Sequence, residues 1–76
     1  MDIEITEQEH GCLIEISTQK KAALAAYFNG EERIYLPEKA SSDTTYYIEE
    51  TDALTSTENG YVLKTDQRPE KIQLIN

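Results

Sequence analysis

Thr-Gln-Lys-Lys-Ala-Ala-Leu-Ala-Ala-Tyr-Phe-Asn-Gly, residues 18–30, is the stretch that decides the predicted fold. Its alanines have the highest helix propensity of any residue type, and the leading threonine can cap a first turn through its hydroxyl. Leu24 and Phe28 lie four positions apart, as on one face of a helix. Asn29-Gly30 is typical of a helix C-terminus. The stretch therefore predicts one α-helix, with Leu24 and Phe28 docking on a sheet.

The other apolar runs alternate with polar residues and predict strands. Residues 1–6 and 12–17 flank a Gly-containing turn, and residues 53–57 and 61–65 flank Asn59-Gly60, so each pair predicts a hairpin. Further strands are expected at residues 33–36, 44–50 and 71–75. The sequence does not decide whether residues 44–57 form one bent strand, two strands or a short helix.

Together these elements predict a single α+β domain spanning residues 1–76. One α-helix would pack on a mostly antiparallel sheet of about five strands. The element order, hairpin then helix then strands, also resembles a ubiquitin-like β-grasp, which is the alternative topology. The tail Gln73-Leu74-Ile75-Asn76 lacks the Gly-Gly end that conjugation requires, so the resemblance implies a fold and no function.

The composition is strongly acidic, with 15 acids against 7 bases and a net charge of −8. Such a charge repels phosphates, so nucleic acid and anionic membranes are not expected as direct partners, whereas a basic protein surface is. One cysteine allows no internal disulfide. No apolar run approaches the roughly 20 residues of a membrane span, and the start lacks a basic, apolar signal. These features predict a cytoplasmic protein.

Metal-ligand residue types lie close together at Glu7, Glu9, His10 and Cys12. They lack the paired spacing that a zinc site needs. On a strand, His10 and Cys12 would stand about 7 Å apart, too far for a nucleophile and its base. We therefore expect no metal, no cofactor and no catalytic residue, and predict that the protein is not an enzyme.

The distribution of charge is the non-random feature. Residues 1–19 and residues 40–63 each hold five acids and no base. If both stretches share a sheet, their outward carboxylates could merge into one acidic surface. Adjacent Tyr46 and Tyr47 must point to opposite faces, so one is expected to be exposed, and Glu49 is expected on the Tyr47 face of the strand. Exposed tyrosine beside carboxylates is typical of protein-binding patches. The predicted partner-binding residues are Glu4, Glu7, Glu9, Tyr47, Glu49, Asp52 and Glu58.

A row of carboxylates can take the place of nucleic-acid phosphates on a basic groove. The sequence thus favours a small acidic inhibitor, a DNA mimic that blocks a nucleic-acid-handling protein. In size and charge the chain resembles phage-borne antagonists of host defence and immunity proteins of nuclease toxins, which implies the host cytoplasm if it is phage-encoded. The alternative is a homo-oligomeric accessory or structural subunit unrelated to nucleic acid, such as a homodimer.

Overall fold

The computed structural model describes residues 2–20 and 22–75 and folds them into eight strands and one 3₁₀ turn. Met1 in the predicted first strand, Lys21 in the predicted helix, and Asn76 lie outside the described residues. The strands are β1 (Asp2–Gln8), β2 (Gly11–Ser17), β3 (Ala23–Phe28), β4 (Glu31–Tyr35), β5 (Thr45–Ile48), β6 (Asp52–Thr57), β7 (Gly60–Thr65) and β8 (Lys71–Ile75). The 3₁₀ turn, Pro37–Lys39, lies between β4 and β5.

All strand pairs are antiparallel, and they form two sheets ordered β1-β2-β7-β6-β5 and β4-β3-β8. The two sheets share one core, which contains Cys12, Ile14, Ile16, Leu24, Ala26, Phe28, Tyr35, Ala40, Leu54, Tyr61 and Leu63. The predicted α+β class is therefore wrong, because residues 2–20 and 22–75 contain no α-helix. The β-grasp alternative fails for the same reason.

The predicted helix is instead the central strand of the three-stranded sheet. Leu24, Ala26 and Phe28 face the core, while Ala25 is fully buried on the opposite face of the same strand. A central strand with a neighbour on each edge favours apolar residues, and the alanine-rich run provides them, with Ala23 and Tyr27 half-buried on the outer face. Helix propensity is a weak prior that such tertiary context overrides.

The residues expected to cap the helix make turns. Asn29 and Gly30 adopt φ values of 53° and 87° and join β3 to β4. Positive φ at both central residues is what a two-residue hairpin turn requires. The hydroxyl of Thr18 accepts the backbone N–H of Lys20 at 3.1 Å, which makes a local turn with no helix after it. Both signals were present in the sequence, and each suits a strand terminus as well as a helix terminus.

The remaining predicted strands are found, although the one expected at residues 44–50 ends at Ile48. β1 pairs with β2 and β6 pairs with β7 as the two expected hairpins. Residues 44–57 form two strands, β5 and β6, joined by a turn at residues 49–51. Ile3 is 37 % exposed at the end of β1, because the five-stranded sheet extends beyond the core at this edge.

Candidate protein-binding surface

The outer face of β1 and β2 carries three carboxylates. Strand alternation and the β1–β2 register turn Asp2, Glu4 and Glu15 away from the core, and Glu4 lies directly opposite Glu15. Directly opposed side chains have Cβ atoms about 5 Å apart, and residues two apart on a strand are about 7 Å apart. We call Asp2, Glu4 and Glu15 the β1–β2 acidic face.

The opposed carboxylates of this face lack an ion-pair partner in the described part of the chain. Within residues 2–20 and 22–75, neither Glu4 nor Glu15 takes part in an ion pair. The neighbour of Glu15 on β7 is the uncharged Val62, and Lys64, diagonal to Glu15 on the same outer face, forms no ion pair with it. Like charges directly opposite each other are destabilising, so the face holds concentrated negative charge at a small cost in folding free energy.

The acidic surface is smaller than the sequence predicted. The two base-free stretches do share the five-stranded sheet, as the prediction required. However, the outer residues of β5, β6 and β7 include no acid; they are Thr45, Tyr47, Ala53, Thr55, Thr57, Gly60, Val62 and Lys64. The carboxylates of residues 40–63 lie at turns or in the core, so no single acidic surface spans the sheet.

Glu49 and Glu58 do not lie on a common surface. Glu49, with φ 50°, is in the β5–β6 turn, whereas Glu58 is in the β6–β7 turn at the other end of β6. Six strand residues separate the turns, about 20 Å at 3.4 Å per residue. β5 ends at Ile48, so the prediction that Glu49 lies on the Tyr47 face is wrong.

Three other predicted residues are exposed in separate surroundings. Tyr47 is 64 % exposed on the outer face of β5, with Tyr46 turned towards the core, as the alternation predicts. Glu7 turns to the inner side of β1 and lies 3.6 Å from Arg68. Glu9, in the β1–β2 turn, lies 3.9 Å from the exposed His10. Of the predicted set, only Glu4 belongs to the β1–β2 acidic face.

Asp52 is the clearest correction among the predicted site residues. It was expected on an exposed surface, but it is fully buried on β6 and faces the three-stranded sheet. One oxygen, Oδ2, accepts hydrogen bonds from Arg33 Nη1 at 2.8 Å and Tyr35 Oη at 2.7 Å. Both donors belong to β4, so this contact links the two sheets, and Asp52 cannot meet a partner.

Arg33 completes this cluster, which we call the Arg33–Asp52–Tyr35 cluster. Its Nε bonds Glu31 at 2.9 Å, its Nη1 also reaches Asp66 at 3.2 Å, and its guanidinium lies 4.2 Å from the centre of the Phe28 ring. The hydrogen bond to Asp52 is the main reason that the pKa of Arg33 is raised. Burial, together with the Asp52 hydrogen bond, raises the pKa of Tyr35 well above its ordinary value.

The described residues also line open grooves away from the β1–β2 acidic face, two of which are large enough to consider. The larger, about 550 Å³, has mostly apolar walls and is lined by Ala22, Ala23, Pro37, Glu38, Ala40, Ser56 and Ile75. The smaller, about 270 Å³, lies along Glu31, Glu32, Arg33, Ile34, Ile48 and Glu49. In residues 2–20 and 22–75, no three His, Cys, Asp or Glu side chains are placed to hold a metal ion.

Comparison with known proteins found no matching family model, no matching curated protein and no matching solved structure. No helix in the described part of the chain has the length and apolar character needed to cross a membrane.

The sequence reasoning named Glu4 as a site residue and missed Glu15. The signal was available, since alternation in both strands of a predicted hairpin places their outward residues side by side. The Arg33–Asp52–Tyr35 cluster was also missed, and no spacing indicates it, because its members come from strands of different sheets.

Proposed function

We propose that the chain is a non-enzymatic protein-binding module, a small acidic inhibitor whose β1–β2 acidic face occupies a basic, nucleic-acid-binding surface of another protein. The observation that carries the proposal is the direct opposition of Glu4 and Glu15 on an exposed face, where neither forms an ion pair within the described residues. A partner lysine or arginine placed between the two carboxylates would attract both and relieve their mutual repulsion.

Charge complementarity of this kind gives specificity and fast association more than raw affinity. Each exposed ion pair contributes only about 0.2–1 kcal/mol, so Asp2, Glu4 and Glu15 must act together. Groups that bind phosphates, such as Arg and Lys, bind carboxylates with similar geometry. The face would therefore compete with nucleic acid for the same basic groove.

A competition experiment tests the inhibitory part of the proposal. The partner is captured from the native host, and its binding to a labelled DNA or RNA duplex is measured with increasing amounts of this protein. Release of the labelled duplex in proportion to the amount of partner that this protein binds supports the proposal. A ternary complex, in which the partner holds nucleic acid and this protein together, would contradict it. A host defence protein or a nuclease toxin as the partner would match the phage-antagonist or immunity-protein class, acting in the cytoplasm.

The alternative is a homo-oligomeric accessory subunit, and one observation favours it. Ile3 and Tyr47 are large apolar side chains left exposed on the described surface, and a second copy could cover them. Sedimentation at increasing protein concentration distinguishes the two functions. An inhibitor that binds by charge stays monomeric, whereas a subunit associates and does so at high salt as well, because apolar contacts are not screened.

A further inference from the structure

Strand β1 is an open sheet edge. It ends the order β1-β2-β7-β6-β5 and pairs with β2 alone. Among residues 2–20 and 22–75, no backbone hydrogen bond joins β1 to any other element. All seven of its residues except Ile5 are exposed. A strand of this length therefore presents a row of backbone N–H and C=O groups that another chain can pair with.

The side chains of β1 differ on its two faces. Asp2, Glu4 and Thr6 point outward, and Ile3, Ile5 and Glu7 point to the inner side. Ile5 packs against the core, while Ile3 is 37 % exposed. An added strand would thus meet carboxylates on one face and isoleucines on the other.

We propose that β1 accepts an extended segment of the partner protein in which basic residues alternate with apolar ones. The inference rests on the proposed function and gives its mode of binding: main-chain hydrogen bonds provide affinity, and alternate side chains provide specificity. Basic side chains of the segment lie beside Asp2 and Glu4, and its apolar side chains cover Ile3.

A second copy of this chain fits the edge poorly. The antiparallel register that pairs the whole of β1 with itself places Ile3 opposite the second copy's Glu7. A shift of two residues places Glu4 opposite the second copy's Glu4. Each arrangement sets a carboxylate against a carboxylate or against an isoleucine. The acids thus disfavour pairing of β1 with a second copy, as charges on natural edge strands do. A segment with basic side chains is not repelled by these acids.

The test uses a synthetic probe, acetyl-Lys-Val-Lys-Val-Lys-amide, whose lysines lie on one face of an extended strand. Its control, acetyl-Lys-Lys-Lys-Val-Val-amide, has the same composition and charge without the alternation. NMR titration of the full chain follows each amide. We expect the alternating probe to bind roughly tenfold more tightly, with shifts and exchange protection at the β1 amides that point away from β2. Equal affinities, or protection at another edge, would overturn the proposal.

Two variants separate an edge effect from net charge. Glu4→Lys should weaken binding of the alternating probe about tenfold. Asp43→Lys makes the same change in charge in the loop before β5, where the side chain is exposed, and should change affinity less than about twofold. Similar losses for both variants would contradict the proposal.

The outcome also distinguishes this inference from the proposed function. A native partner that binds in a salt-dependent way and leaves the β1 amides unprotected would refute strand addition while the acidic-face proposal stands. Equal affinity of that partner for the parent and for Glu4→Lys would refute both strand addition and the acidic-face proposal.

Discussion

Two charged regions of this molecule, the Arg33–Asp52–Tyr35 cluster and the β1–β2 acidic face, differ in how their charge is compensated. In the cluster, the buried carboxylate of Asp52 receives two hydrogen bonds, one from the guanidinium of Arg33. On the face, Glu4 and Glu15 oppose each other, and neither forms an ion pair in the described part of the chain. Burial requires a partner for a charge, whereas water tolerates an uncompensated one.

The comparison separates charge that serves folding from charge that is free for binding. The cluster joins β4 to β6, and thus one sheet to the other, through two hydrogen bonds to Asp52 Oδ2, while the buried Oδ1 of the same carboxylate has no hydrogen-bond partner among the described residues. On the face, no ion pair of Glu4 or Glu15 in the described part of the chain stabilises the folded state. A count of acids in the sequence treats the two regions alike, so the acidic composition overstates the surface available to a partner.

The largest expected effect is the loss of Asp52. Asp52→Ala leaves Arg33 without its buried partner, and breaking a buried ion pair costs about 3–5 kcal/mol of unfolding free energy. Asp66→Ala is the matched control, because Asp66 contacts the same Arg33 nitrogen from a side chain that is 48 % exposed. That change should cost no more than about 1 kcal/mol. Urea denaturation measures both, and similar values would mean that burial does not distinguish the two contacts.

A smaller loss is expected for Tyr35→Phe at neutral pH. The substitution keeps the ring in the core and removes one of the two donors to Asp52 Oδ2. A hydrogen bond to a charged group contributes about 1.5–3 kcal/mol, so the variant should unfold at correspondingly lower urea. No measurable change would show that the hydroxyl contact does not stabilise the sheet-to-sheet link.

The hydroxyl of Tyr35 also makes the free energy of unfolding depend on pH in the alkaline range. The pKa of Tyr35 is raised in the folded state, chiefly by burial, so the folded protein holds this proton more tightly than the unfolded chain. The resulting stabilisation is complete below the unfolded pKa of about 10 and is lost as the pH rises above it. The stability difference between the parent and Tyr35→Phe should therefore shrink from pH 9 to pH 11. A constant difference would contradict this.

The smallest effect belongs to the acidic face and has the opposite sign. Glu15→Gln removes one of two opposed carboxylates and should stabilise the fold by roughly 0.2–0.5 kcal/mol. The gain should disappear in 1 M salt, where charges are screened beyond about 3 Å, and in a Glu4→Gln background. Asp43→Asn, in an exposed loop, is the control and should change little. A loss of stability in Glu15→Gln would show that the face is compensated after all.

Much of the β structure could be predicted because its signals are local. Alternating side chains and turn residues determine the β1–β2 and β6–β7 hairpins from within about twenty residues. The alanines of the stretch from Ala22 to Phe28 favour a helix in isolation. The strand that it forms instead depends on β4, which follows it directly, and on β8, which comes from much later in the chain. The seven apolar residues before Asn29-Gly30 also match the length of a buried strand.

Among the candidate site residues, too, local signals predict some positions, whereas other positions depend on distant parts of the chain. Glu4 could be placed outward from alternation alone. Asp52 could not be placed, because its burial depends on Arg33 and Tyr35, which the chain brings to it from the opposite sheet. Glu49 was misplaced since β5 ends one residue before it, at a turn that no glycine marks.

The central claim is that the β1–β2 acidic face binds a basic partner. The most direct measurement is the affinity of the captured partner for the parent, for Glu4→Lys/Glu15→Lys, and for Glu38→Lys/Asp43→Lys, at low and high salt. Both double variants change the net charge equally at exposed positions. We predict that reversal on the acidic face lowers affinity about a hundredfold at low salt and that the control stays within a few-fold of the parent. Equal losses in the two variants, or a parent complex indifferent to salt, would contradict the claim.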